Sequence, residues 1–269
     1  MRAAILLALF GIAAVSRPLS QPDSTFLQDL RPIQQRDTAR AISYQNAGLK
    51  LVGENKHEAA VEQFRRSASF DPSLVATFIN LAYCLDKLGR YHDAIDELQT
   101  AEKLDPANVM IYINWGNTLL NLKRFQDALD PLQKAAGIES TNILVRLNLA
   151  AAYSNLGRLE EAASELEQAA AADPNNIQIF LNWATILSNT GNATGALEKY
   201  GRVIALDPKN LSAYYNRAAL FEKLGQIDNA IAAIEAAIKV FPDNSLLLEI
   251  LKKLQAVHLQ RQGQQDSRH

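Results

Sequence analysis

Prolines recur along this chain at a fixed interval, and that interval constrains the fold more than any other feature. Pro72 and Pro106 lie 34 residues apart, Pro174, Pro208 and Pro242 repeat the spacing, and Ser140 fills the one missing place between Pro106 and Pro174. They sit in a recurring phrase: "FDPS", "LDPAN", "ADPNN", "LDPKN" and "FPDN". Proline pushes the residue before it out of the helical region, so a helix stops ahead of each one. Between prolines the sequence holds two apolar-periodic segments parted by a turn. Four of those turns carry Gly89, Gly157, Gly191 and Gly225, again on the 34-residue spacing. A helix-turn-helix unit of this length cannot bury its own apolar face, so it must stack on copies of itself.

Side-chain size repeats as well. Small residues recur at Ala60, Ala94, Ala128, Ala162, Ala196 and Ala230, where two helices can approach closely. Four places later come Phe64, Leu98, Leu132, Leu166, Tyr200 and Ile234, large enough to fill the space between units. With Trp115-Gly116 and Leu119, Leu81-Ala82 and Leu85, and Leu149-Ala150 and Tyr153, the pattern resembles the tetratricopeptide repeat (TPR) family. The resemblance covers six units: 41–74, 75–108, 109–142, 143–176, 177–210 and 211–244. It implies an all-α, right-handed α-solenoid whose first helices line a concave groove. Arg146 and Arg217 stand where a bulky apolar residue is usual, and Pro131 falls inside a second helix, where it is expected to bend it. Residues 245–260 read as a capping helix with Ser245 as N-cap and a stripe of Leu247, Leu251, Leu254 and His258. The tail 261–269 reads as disordered, and 17–40 as a polar linker with a short helix after Ser24.

The first residues are different in kind. Arg2 precedes an unbroken apolar run from Ala3 to Val15, followed by Ser16 and then Pro18. That run is too short for a bilayer core, which needs about 20 residues. It suits a secretory signal peptide over 1–16, cleaved after Ser16, and hence a periplasmic or secreted protein targeted transiently to a membrane. The alternatives are an uncleaved membrane anchor and a buried helix. The formal net charge is −2, with no Lys/Arg block, which argues against nucleic acid as a partner. Cys84 is the single cysteine, so no intrachain disulfide can form.

With the register fixed, one residue stands out. The sixth position of every unit is asparagine: Asn46, Asn80, Asn114, Asn148, Asn182 and Asn216. Asparagine mid-helix costs roughly 0.6 kcal/mol against alanine, or about 3–4 kcal/mol for six. The residues just before them, from Gln45 and Ile79 to Tyr215, have diverged while the amide has not. A carboxamide offers one acceptor and two donors, which matches the C=O and N–H of an extended backbone. Helices spaced about 8–10 Å apart would meet a bound strand at about every third residue, so six rungs would hold on the order of 15 residues. Similar superhelical TPR arrays with asparagine ladders bind extended polypeptides; the alternative is that the amides bond to one another or to neighbouring helices and hold the superhelix. Met110, Asn117 and Gln178 are expected beside the ladder as further peptide-binding residues. The carboxylate-clamp TPRs that grip chaperone C-termini use Lys and Arg at defined groove positions; here Gln45, Leu49, Met110 and Asn114 occupy the clamp positions and only Asn80 matches, so that partner is not expected.

No catalytic or metal-binding constellation is evident. The histidines do not fall at metal-ligand spacing, and there is no Gly-rich phosphate loop and no CxxC. The expectation is an exported, non-enzymatic protein-interaction module that needs no cofactor and binds extended polypeptide in its groove, as adaptor or assembly factor. The alternative is a structural scaffold that forms homo-oligomers or binds partners through its convex or terminal faces.

Overall fold

The computed structural model describes residues 24–266 and the side chains of 37–263. The expected signal segment, the first residues of the linker and positions 267–269 lie outside the described residues. Every regular element among the described residues is a helix. α1 (Ser24–Gly53) pairs with α2 (His57–Phe70), α3 (Val75–Lys87) with α4 (Tyr91–Leu104), and α5 (Val109–Asn121) with α6 (Phe125–Ile138). The order continues with α7 (Ile143–Asn155) and α8 (Leu159–Ala172), α9 (Ile177–Asn189) and α10 (Ala193–Leu206), and α11 (Leu211–Lys223) and α12 (Ile227–Val240), and α13 (Ser245–Asp266) closes it. The molecule is an all-α helical-repeat solenoid.

The proline phrase builds each junction through three residues. Its aspartate folds back on the chain: Asp105 Oδ1 accepts the N–H of Ala107, and Asp173 and Asp207 do the same for Asn175 and Lys209. The proline ends the old helix, and the final asparagine starts the new one. The Oδ1 atoms of Asn108, Asn142, Asn176 and Asn210 each accept a first-turn N–H of the following helix. Such a cap stabilises a helix by about 1 kcal/mol. At the other end, Gly89, Gly157, Gly191 and Gly225 take φ between +73° and +80°, the left-handed geometry that terminates a helix.

The core is a column of equivalent positions. The six repeating alanines are fully buried, and so are Phe64, Leu98, Leu132, Leu166 and Ile234 four places on. Each such large side chain contributes about 1.5–3 kcal/mol through removal from water. At Gly116 and Gly48 the two helices of a unit leave no room for a side chain: a Cβ would sit 2.4 Å from Leu132 and 2.6 Å from Phe64. First helices α1, α3, α5 and α7 pack successively side by side, whereas no two successive second helices pack to that extent. Over α1 to α7 the first-helix side is therefore the short, concave side of the stack.

Several local expectations are corrected. The helix after Ser24 is not a short one in a linker; it runs without a break into the first repeat, because nothing between Ser24 and Gly53 stops it except Pro32, which does not end it here. Asn244, not Ser245, caps α13, its Oδ1 accepting from Leu247 N at 3.2 Å, and the helix continues past Gln260 to Asp266. Pro131 is buried within α6, which runs unbroken at the same 14-residue length as the other second helices. Arg146 fits a place that elsewhere holds an aromatic. Tyr112 Oη donates to the carbonyl of Pro106 at 3.0 Å, and Arg146 Nε and Nη2 donate to the carbonyl of Ser140 at 2.9 and 2.6 Å. Its Nη1 meets Glu165 at 2.6 Å, so the guanidinium is paired where it is buried. Arg217 lies 5.6 Å over Phe221, with Nε buried and without a hydrogen-bond partner.

Candidate functional site

Positions 2, 6, 9 and 13 of a first helix are four, three and four residues apart and share one face. On α5 they are Met110, Asn114, Asn117 and Asn121. This is the face that stays open to solvent: Met110, Leu144, Gln178 and Ser212 are exposed at the second position, while all but the first of the six asparagines are half-buried. Asn46, on α1, is exposed, and Asn80, Asn114, Asn148, Asn182 and Asn216 follow on α3, α5, α7, α9 and α11. The sixth-position amides thus sit lower in the groove than their neighbours.

No hydrogen bond among the described residues joins one rung to the next. Asn182 Oδ1 accepts from Gln178 Nε2 at 2.8 Å, one turn earlier on the same helix. The other five rung amides have no protein partner among the described residues, so their donors and acceptors are free to exchange water for a ligand. Asn117 makes no hydrogen bond there either. Asn121 does: its Nδ2 donates to both carboxylate oxygens of Asp86 at 3.1 and 3.0 Å, tying α5 to α3 across the groove.

Apolar side chains accompany the amides. Among the described residues, first helices expose six large apolar side chains, Ile42, Leu49, Tyr83, Met110, Leu144 and Tyr215, all in or beside the stripe. Second helices expose only Leu104 and Ile138, each at its helix's last residue. Leu224, just past α11, and Leu246, Leu248 and Leu259 on α13 are exposed as well, so six of the twelve exposed large apolar side chains among the described residues lie along the first helices. The composition of the sequence did not reveal this asymmetry; it needs the register.

Recesses of about 260 and 270 Å³ open in the groove between α7 and α9 and between α9 and α11, where Asn182 and Asn216 stand at their edges. Another, of about 270 Å³, lies between α11 and the start of α13, with Tyr215, Asn216 and Leu246 in its wall. A larger recess, of about 480 Å³, opens away from the groove between α4 and α6. Arg124 is paired there with Asp127 and Lys134 with Glu102, while the exposed Asp130 makes no ion pair among the described residues. Cys84 is fully buried, and burial pushes its thiol up to about 11, so it is held as a neutral, apolar side chain. No group of three or more metal-ligating side chains occurs among the described residues.

Family models described as "Tetratricopeptide repeat" match residues 79–142, 119–181 and 212–244, and one described as "TPR repeat" matches 186–225. The chain belongs to the tetratricopeptide repeat family. No curated protein matches the sequence significantly. Solved structures similar to this TPR chain include Pseudomonas aeruginosa PilF, at TM-score 0.65 and 20% identity over 82% of this chain and 98% of that one. YrrB, described as "a TPR protein with an unusual peptide-binding site", aligns at TM-score 0.58 and 22% identity over 71% and 99%. MamA from Desulfovibrio magneticus RS-1 aligns at TM-score 0.59 and 20% identity over 64% and 97%. At these identities the likeness is one of fold. The chain is a protein-interaction repeat module.

Proposed function

We propose that this TPR protein is exported and holds extended polypeptide segments in its concave groove, as an adaptor or assembly factor. The observation that carries the reading is the asparagine row itself. Six amides repeat at one register position, five have no protein partner among the described residues, and exposed apolar side chains flank them. An amide that binds nothing in the free protein loses about 0.6 kcal/mol of helix propensity at each site, which a ligand-binding role would account for. Backbone hydrogen bonds to the rungs would make binding tolerant of ligand sequence, while the apolar neighbours add contact area and modest preference. The similarity to YrrB, a TPR protein whose own description includes a peptide-binding site, fits the reading. The apolar segment from Ala3 to Val15 is the basis for export.

The test compares wild type with Asn114→Ala/Asn148→Ala/Asn182→Ala in a pull-down from the exported fraction, followed by binding measurements on the captured partner. Three lost bonds at about 1 kcal/mol each predict about 100-fold weaker binding. The same substitutions favour helix by roughly 2 kcal/mol in total, so the thermal midpoint should stay level or rise. Partners retained by the folded mutant would move the interaction to another face. A large drop in midpoint would make the amides structural.

A further inference from the structure

The groove recesses repeat with the fold. Between α7 and α9 the walls are Ala151 and Ser154 on one side and Asn182, Thr185 and Ile186 on the other, with Leu166 beneath. Moving each of these by 34 residues gives Thr185, Ser188, Asn216, Ala219, Leu220 and Tyr200, and all six line the recess between α9 and α11. A third copy between α11 and α13 shrinks to about 90 Å³. There Glu222 takes the serine's place, Ile250 takes the asparagine's, and Lys253 approaches Glu222 to 4.0 Å. Upstream, the places of Ala151 and Ser154 hold Tyr83 and Asp86 on α3, and Asn117 and Leu120 on α5. Those are bulkier, and the first helices there pack side by side. Two adjacent recesses are therefore open because small side chains occupy both wall positions of α7 and of α9.

The two differ in chemistry. The first has no charged side chain in its lining and an aliphatic floor at Leu166. The second is walled by Ser188, Asn189 and the Tyr200 ring, and ends at Lys223, which is exposed and makes no ion pair among the described residues.

We propose that these recesses are consecutive side-chain subsites for an extended peptide, the first taking an aliphatic side chain and the second an acidic one. This rests on the groove reading above and narrows it to a ligand class. A peptide extended as polyproline II turns once in three residues and advances about 9 Å in doing so, so side chains separated by two residues point the same way and match a step of about 8–10 Å from one helix to the next. Asn182 and Asn216 hold the backbone at the edges of the two subsites, and the Lys223 ammonium supplies the charge that the acidic side chain meets.

The experiment selects a random dodecapeptide library on the full chain and measures a fluorescently labelled winner by anisotropy. Selected peptides are expected to share an aliphatic and an acidic residue with two residues between them. Thr185→Tyr, at a side chain bordering both recesses, should weaken binding at least tenfold with an unchanged melt, since α3 already carries Tyr83 at that position. Ser154→Leu/Ser188→Leu, which copies the leucine that α5 carries at Leu120, should do the same and guards against one misfolded variant. Lys223→Gln should abolish the preference for the acidic residue. Selected peptides lacking that spacing, or binding lost in Asn182→Ala/Asn216→Ala but kept in both filled variants, overturn the subsites and leave the groove reading standing. Peptides indifferent to all these changes, or no selected peptide at all, overturn both.

Discussion

Six residues just past the first helices need a left-handed backbone, and two of them are not glycine. Asn55 takes φ +56° and Lys123 φ +59°, at the register of the four turn glycines. Asparagine tolerates that region because its short side chain can bond locally, whereas a lysine there carries the Cβ strain of about 1–2 kcal/mol uncompensated. Glycine's greater freedom in the unfolded chain takes back part of the gain. Lys123→Gly should therefore stabilise the protein by about 0.5–1 kcal/mol, while Asn55→Gly should change it by less. Urea unfolding of both variants checks the order, and a Lys123→Gly protein weaker than wild type would show that the strain is relieved elsewhere. The turn glycines themselves were legible from spacing alone. That unit three dispenses with one is a matter of which strain the packing tolerates, and the sequence pattern carries no sign of how its lysine would sit.

Elements were legible where one residue type has one physical job. Proline stops a helix, and the buried alanine lets two helices close, so the unit boundaries and the core column followed directly from the period. They were not legible where different residues do the same job. The carbonyl at the proline position is met by the Tyr112 hydroxyl in one unit and by the Arg146 guanidinium in the next; further on, Phe180 cannot donate, and Arg202 Nη2 reaches the carbonyl of Pro174 at 3.1 Å. A size-and-hydropathy pattern reads Arg146 as a fault because it has no way to see that carbonyl. The side chains of Arg146 and Glu165 are only 13% and 15% exposed, so truncating one strands the other. Arg146→Ala should cost about 2–3 kcal/mol and Tyr112→Phe about 1. Adding Glu165→Gln to Arg146→Ala should recover part of the loss, seen as a coupling of about 1 kcal/mol or more in a double-mutant cycle on denaturation midpoints. The groove amides fall between these cases. Their register was plain, but the recesses beside them depend on the sizes of side chains at two other positions on the neighbouring helix.

At the scale of the whole molecule, each unit is stabilised by its neighbours, and the last unit by α13. Leu247 and Leu254 are only 1% exposed and pack in one cluster with Tyr214, Ile234 and Ala237. Beyond them the same helix is pinned by Arg261 Nη1, which donates to the carbonyl of Gly225 at 2.8 Å, and by His258 Nδ1, 2.7 Å from Asp228. These polar contacts are exposed and contribute little; the two leucines carry the interface, at about 1.5–3 kcal/mol each. In a quasi-one-dimensional stack, loss of one end interface is felt most by the adjoining unit and decays along the array. Leu254→Ala should therefore cost about 2–4 kcal/mol in local stability. Native-state hydrogen exchange should show that loss in α11, α12 and α13, with protection in α3 to α6 nearly unchanged. A uniform fall in protection along the chain would mean instead that the six units unfold as a single cooperative block. In that case a ligand bound at α7–α11 would stabilise the far end of the solenoid as strongly as its own walls.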